Sequence, residues 1–411
     1  MAVNYKRTKF ACYLAYLCMA AVAGLPPILF LPFREMFGVS YTLLGTLVLI
    51  NFFTQLGVDL SFTFFSHRLN IHKAVKLMPI LLASGFIAYG LLPTFFPQAA
   101  YGGLVIGTIL FSAAAGLCEV LLSPLIAALP SDNPDRELSK LHSLYAYGLL
   151  FVIVFSTVFL QLFSAKYWLV LVLLVSTLPM VVAVLFATVP LPDMTVTHAD
   201  NSKRLGTQGK LLALCALCIF LGSAAENTMT NWVSSYMEKA LGFSKVWGDL
   251  LGMAGFAILL GLARTWYAKR GKNIVNTLLV GMIGATVCYV VAGTISHAVI
   301  ACMACVLTGW FTSMLWPGTL ILMEERIPHA GVTAYALMAA CGDLGASLAP
   351  QLMGVLVDTV AASDWAAAFA SPEQIGMKVA ALVTAIFPAL GVALLLYMRR
   401  QKSTIKNCIR E

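Results

Sequence analysis

YWLVLVLLVSTLPMVVAVLFATV, residues 167–189, carries no charged side chain, and VPLPDMTVTHADNSKRLGTQGK, residues 189–210, follows it directly. A helix needs about 20 apolar residues to cross some 30 Å of hydrocarbon, and the first segment meets that requirement without interruption. The second is the longest polar segment of the chain, lies near its midpoint and is rich in turn formers, so it reads as a linker. Working outward, further stretches of spanning length lie at 10–33, 41–65, 74–93, 100–129 and 140–163 before the linker. After it they lie at 210–237, 244–268, 273–294, 297–323, 331–357 and 374–398. The predicted fold class is an all-α membrane protein with twelve transmembrane helices in two pseudo-symmetric six-helix bundles. The expected domains are an N-terminal bundle over 1–189, a cytoplasmic linker over 190–210 and a C-terminal bundle over 211–411.

Composition agrees with a bilayer setting. The 411 residues are 60% hydrophobic and 11% charged, whereas a soluble domain is roughly 25% charged. The first span is too long for the apolar core of a cleaved signal peptide and is expected to be retained. If Lys6, Arg7 and Lys9 face the cytoplasm, alternate loops place 21 of the 26 Lys and Arg on that side. Five (Arg34, Lys166, Lys239, Lys245 and Lys378) fall on the other. This bias predicts a multi-pass protein of the cytoplasmic membrane with both termini inside. It also accounts for the net charge of +8 without a nucleic-acid partner. The ten cysteines include CxxC spacings at Cys215/Cys218 and Cys302/Cys305, but a zinc site needs four ligands together. They read as small packing residues, and neither metal nor cofactor is expected.

The chain echoes itself across the linker. GVSYTLLGTLVLINFF (38–53) answers GFSKVWGDLLGMAGFA (242–257), and Gly116 with Pro124 in the fourth span matches Gly309 with Pro317 in the tenth at the same spacing. Parallel six-helix halves with a midplane site between them build one large class of secondary transporters. After the second span, FFSHRLNIHK (64–73) is similar to the loop signature Gly-x-x-x-Asp-Arg-x-Gly-Arg, with His67 at the acid and Asn70 at the second glycine. GLARTWYAKRGK (261–272) is a second copy with Lys269 at the acid. On these features the chain resembles the major facilitator superfamily over its whole length. The resemblance implies that the loops latch the cytoplasmic ends of the halves, with Asp59, Arg68, Arg264 and Arg270 as gate residues and Glu324, Glu325 or Asp132 as substitute acids.

Four acids lie well inside spans: Asp59, Glu119, Glu226 and Asp343. An ionised side chain at the bilayer centre costs roughly 2.5–3.5 kcal/mol and usually faces water or a partner. Glu119 lies eleven residues from Pro130, about 16 Å deep at 1.5 Å per residue. With Arg264 placed near the inner end of its span, no base is expected at the depth of these acids. They are expected to be hydrated, protonated or bound to something cationic. In SAAENTMTNWVSSY (223–236), Ser223, Glu226, Asn227, Thr230, Asn231 and Ser234 fall within an arc of about 140° at helical spacing, the polar face of a helix lining a cavity. Ser112, Gly116, Glu119 and Ser123 repeat the device. Tyr236 is expected to be an interfacial anchor, and Trp232 either an anchor or a cavity wall. GLPP (24–27), Pro124, WPG (316–318) and Pro350 are expected helix breaks.

Within the superfamily the chain is similar to the fucose-galactose-glucose:proton symporters. Their motif Glu-x-x-x-Asn-Pro is met by Glu119 and Pro124 with Ser123 at the Asn position, and RELSKLHSLYAYG (136–148) loosely follows the next loop. By resemblance Glu119 carries the coupling proton, and His142 and Tyr145 take positions that contact sugar. The family's acid in the first span has no counterpart in AVAGLPPILFLPF (21–33), so Glu226 and Asp343 are the further candidates for proton coupling. The expected substrate site comprises Glu119, Ser123, Tyr145, Asn227, Asn231 and Trp316. Lacking a base at mid-membrane, such a site suits a neutral sugar-like solute taken up with protons, or in the alternative with sodium. A proton-driven exporter of cationic or amphipathic compounds is the second reading. A transporter-like receptor is the third, set lower because the C-terminal tail is only about a dozen residues. No HExxH or GxSxG motif and no large loop points to an enzyme. A monomer is expected.

Overall fold

The computed structural model describes residues 5–65, 70–131, 134–192, 209–271, 273–327, 331–368 and 371–408, apart from the side chains of a few helical residues such as Arg136 and His142. Before the linker lie α1 (Lys6–Phe37), α2 (Tyr41–Phe65), α3 (Ile71–Phe95), α4 (Ala100–Ala128), α5 (Pro134–Phe163) and α6 (Trp168–Thr188). After it come α7 (Gly209–Lys239), a short turn at Lys245–Trp247 with a π-helical segment Gly248–Ala254, and α8 (Gly255–Arg270). Next are α9 (Ile274–Thr294), α10 (Ala298–Thr312) and α11 (Leu315–Arg326). The last three are α12 (Gly331–Ala361), α13 (Pro372–Thr384) and α14 (Ile386–Cys408). Joined where they are continuous, they make 12 helical stretches long and apolar enough to cross a membrane among the described residues.

The chain divides into two compact units. One holds Met1–Val39 and Ile50–Thr197, the other Ser40–Leu49 and His198–Glu411. Ser40–Leu49, within the repeat-bearing stretch 38–53, therefore count with the C-terminal unit, a division inside α2 that hydropathy does not mark.

In the first unit, α3 packs on α4 and α6, and α1 on α5. An aromatic cluster ties these helices together: Phe33 meets Trp168 at 5.0 Å and Tyr89 at 5.6 Å, and Phe86 stacks on Phe111 at 5.1 Å between ring centres. All five rings are buried, each worth roughly 1.5–3 kcal/mol in water-accessible surroundings and less where lipid is the alternative. The linker's start is fastened here, because the Thr8 hydroxyl donates to the Pro190 carbonyl at 2.8 Å and His72 Nε2 sits 3.0 Å from the Pro192 carbonyl. Residues 193–208 of the expected linker lie outside the described residues. Asn70, noted as a departure from the loop signature, caps α3 by accepting from the Lys73 N–H at 2.9 Å.

In the second unit α7 packs most extensively against α12. Trp232 and Tyr236 are fully enclosed there. Trp232 Nε1 donates to the Pro350 carbonyl at 3.0 Å, and the Tyr236 hydroxyl donates to the Ala292 carbonyl. Neither is an interfacial anchor. Their polar atoms find backbone acceptors inside the protein, so nothing draws them to the headgroup region. The start of α2 belongs to the same unit: the N–H groups of Tyr41 and Thr42 donate to the two Asp358 carboxylate oxygens at 3.2 and 2.6 Å. A helix begins with unsatisfied N–H groups and a positive dipole end, and a carboxylate from α12 answers both.

The internal echo has a structural meaning. A Cβ on Gly116 would approach Val58 Cβ to 3.0 Å, and one on Gly309 would approach the Phe256 carbonyl oxygen to 2.4 Å. In each unit this glycine lets the fourth helix of the repeat lie directly on the second. Of the expected breaks, WPG interrupts its helix, whereas α1, α4 and α12 run unbroken through Pro26, Pro27, Pro124 and Pro350. Pro317 lacks an N–H and its ring displaces the carbonyl four residues earlier, and the helix is interrupted between Thr312 and Leu315.

Candidate functional site

Glu119 is exposed on α4, between the buried Cys118 and the half-buried Val120. It lies within electrostatic reach of Asp59 on α2 and of Tyr16 on α1. Tyr16 in turn makes an edge contact with Tyr145 of α5, ring centres 6.3 Å apart. Four helices of the first unit thus bring two acids and two phenols to one place. Ser123, one turn beyond Glu119, is half-buried. The other end of the α4 stripe is dry. The Ser112 hydroxyl donates to Asn51 Oδ1 at 2.6 Å, and Asn51 Oδ1 also accepts from Gln55 Nε2 at 3.1 Å. Ser112 and Gly116 are therefore helix-packing positions, and the expectation that the whole stripe faces a cavity fails at this end.

In the second unit, Glu226 Oε1 lies 3.3 Å from Arg264 Nη2. This overturns the expectation that no base reaches the in-span acids. Counting residues along α8 placed the Arg264 backbone correctly, but its long side chain extends toward α7. What holds it is the break at Pro317: Arg264 Nε donates at 2.9 Å to the Ser313 carbonyl, the acceptor that a proline four residues later leaves without its helical donor. Glu226 is 16% and Arg264 44% exposed, so the pair opens on its Arg264 side. Asn227 and Asn231 are half-buried and donate along their own helix, to the Ser223 carbonyl at 3.2 Å and to the Asn227 carbonyl at 2.8 Å. Trp316 lies against Gly342 so closely that a Cβ there would meet its ring at 2.4 Å. Asp343, next in sequence, is half-buried and has an interaction partner. Ser234, the outer end of the α7 stripe, is buried and bonded to Asp249, which also accepts from Lys245. Asp249 is a fifth in-span acid that sequence reasoning missed, although the Lys245/Asp249 spacing of four was its signal.

The resemblance implies four gate residues, Asp59, Arg68, Arg264 and Arg270. Asp59 groups with Glu119, Arg264 with Glu226, Arg270 is exposed in the last turn of α8, and Arg68 lies outside the described residues, as does Asp132. Glu324 instead accepts from the Tyr335 hydroxyl at 3.1 Å. A different charged cluster occupies the expected cytoplasmic side of the first unit. Glu137 of α5 accepts from the Tyr13 hydroxyl and sits 3.2 Å from Lys9 Nζ and 3.4 Å from Lys140 Nζ. Its carboxyl is lowered to about 2, chiefly by the Tyr13 hydrogen bond, against partial desolvation and with help from the two ammonium groups. No group of three or more metal-ligating side chains occurs among the described residues.

Twelve apolar helices of spanning length, with ionisable side chains grouped inside each unit, define a multi-pass membrane protein. The model of the Major Facilitator Superfamily matches residues 12–350, and the chain belongs to that superfamily. A search of curated proteins gives no match. Among solved structures, the chain is similar to a bacterial homolog of the human lysosomal transporter Spinster, inward-facing and occupied (TM-score 0.74, 13% identity, 97% of this chain and 98% of that one). It is similar to a D-xylose-proton symporter (0.72, 16%, 95% and 96%) and to the E. coli fucose:proton symporter (0.57, 16%, 94% and 99%). At these identities the likeness is one of fold.

Proposed function

We propose that this member of the superfamily is a secondary carrier for a small, hydroxyl-rich solute of the sugar class, coupled to protons, and that it works as a monomer in the cytoplasmic membrane with both termini inside. The observation that carries the reading is Glu119: an exposed carboxylate in the middle of a span, within reach of a second acid and of Tyr16, and with no cation paired to it among the described residues. A structural acid at that depth would be expected to have a base or a full set of donors. A carboxylate left to change its charge suits a proton that is taken up and released. The proposed solute-contacting groups of the first unit are Ser123 and Tyr145, and those of the second unit are Asn227, Asn231 and Trp316. Two fold relatives, a D-xylose-proton symporter and a fucose:proton symporter, favour the same substrate class. The orientation rests on the distribution of Lys and Arg.

The test is uptake into liposomes of labelled sugars with an imposed pH gradient. Wild type should accumulate its sugar uphill, whereas Glu119→Gln should only equilibrate it. Unchanged accumulation in Glu119→Gln would remove Glu119 from coupling.

A further inference from the structure

Resting on the carrier reading above, we infer that Arg264 selects for an acidic group on the solute: the preferred cargo is a sugar-like molecule bearing a carboxylate, which takes the place of Glu226 on the guanidinium.

Three observations point this way. A guanidinium offers five N–H donors in a planar fork. In Arg264, Nε is committed to the Ser313 carbonyl and Nη2 reaches Glu226 at a long 3.3 Å, while Nη1 makes no hydrogen bond among the described residues. The side chain is thus fixed at its root by backbone and open at its fork, with 44% of its surface accessible. On the partner's side, Glu226 Oε2 is buried with no hydrogen-bond partner. A pair built only for stability would close into the bidentate arrangement that satisfies both oxygens; this one is held half-made. The third is Trp316, three residues after Ser313 in the chain, whose ring is braced against Gly342. A braced indole and an open fork donor in the same unit are the two groups that a carboxylated ring compound needs.

The exchange balances. A proton joins the Glu226 carboxylate, the Nη2 contact to Glu226 Oε1 is given up, and a carboxylate oxygen of the solute accepts from Nη1 and Nη2. One proton and one anion enter together, so the charge of the site is unchanged and no unpaired ion is left in the span. Arg264 is the charged group within electrostatic reach of Glu226. Of the other ionisable groups on elements packed against α7, Asp249 is engaged with Lys245, Glu324 with Tyr335, Glu373 with Tyr41, Tyr289 with the Ala225 carbonyl and Asp343 with a partner of its own, while Arg326 of α11 acts further along α7, within electrostatic reach of Cys215.

The experiment uses the full-length protein in nanodiscs and measures the shift of its melting temperature with D-glucuronate or D-glucose at pH 5.5 and 7.5. Wild type should be stabilised by glucuronate, more at pH 5.5 than at 7.5, and less or not at all by glucose. Glu226→Gln should keep the glucuronate shift and lose its pH dependence. Arg264→Gln should lose the shift, and Arg264→Lys should recover part of it. If Arg264→Gln does not fold, the Glu226→Gln and Arg264→Lys arms decide. Stabilisation by glucose equal to or above that by glucuronate, an unchanged pH dependence in Glu226→Gln, or no response to glucuronate would each overturn the inference. The carrier reading is judged separately by sugar accumulation and its dependence on Glu119.

Discussion

The two units handle an acid inside a span in opposite ways. In the first, Glu119 meets another acid and a phenol and has no base among the described residues, so its charge has to be settled by a proton or a solute. In the second, Glu226 meets Arg264, and the arginine is held in place by a carbonyl that a proline has freed. A carboxylate at membrane depth is costly in either case. The difference lies in who compensates it: the surroundings in one unit, a tethered cation in the other. An acid without a base can change charge with little rearrangement, whereas a paired acid cannot do so without releasing its partner. The first arrangement suits proton transfer and the second suits recognition.

The largest expected effect breaks the comparison on its first side. Glu119→Gln should abolish uphill accumulation while leaving counterflow of labelled solute measurable in vesicles, because exchange at equal pH needs no net proton movement. Next comes the pair. Arg264→Gln strands a buried carboxylate, and breaking a buried pair typically costs roughly 3–5 kcal/mol; the open side of this one places it toward the lower figure. The double variant Glu226→Gln/Arg264→Gln should recover much of that loss, read as melting temperature in a double-mutant cycle. Additive losses would mean that the two side chains do not interact.

Away from both acids, Asp358→Ala removes the carboxylate that caps α2 and should cost about 1 kcal/mol, the usual value of an N-cap. Faster hydrogen exchange at Tyr41 and Thr42 would report it, and unaltered exchange would contradict the assigned cap. The smallest effect concerns Glu137, an acid paired at the end of a span rather than within it. Its carboxyl is lowered in the folded protein, so its contribution is present above its ordinary value and fades as pH falls toward about 2. Wild type should therefore melt above Glu137→Gln at pH 7, with the gap narrowing between pH 4.5 and 3. A gap independent of pH would assign Glu137 a packing role only.

Much of this architecture could be read along the chain. Each of the twelve expected spans coincides with one of the twelve helical stretches to within a few residues, although 297–323 and 374–398 each fall on two helices, and Glu119 and Glu226 stand out because charge in an apolar run is rare. The repeated glycine in the fourth and tenth spans was visible as spacing before its packing role was known. Other features were not legible. Arg264 looked like a loop residue because its backbone lies near the end of α8, and periodicity says nothing of how far a side chain reaches. Tyr236 looked like an anchor and Trp232 like an anchor or a cavity wall, because amphipathic aromatics near a span end usually are; the acceptors that hold them inside, Ala292 and Pro350, are 56 and 118 residues away. Ser112 looked like a cavity residue, yet its hydroxyl is used by Asn51, 61 residues earlier.

By itself the sequence determined that this chain lives in a bilayer, that it crosses twelve times, and which acids lie at depth. Those properties follow from solvation, which acts on each segment separately and leaves its mark in composition and order. Only the tertiary structure decided which acid has a base, which polar stripe is dry, and to which unit the start of α2 belongs. Such outcomes depend on partners brought together from distant helices, where a few ångströms of side-chain reach or one displaced carbonyl settles what a charge meets.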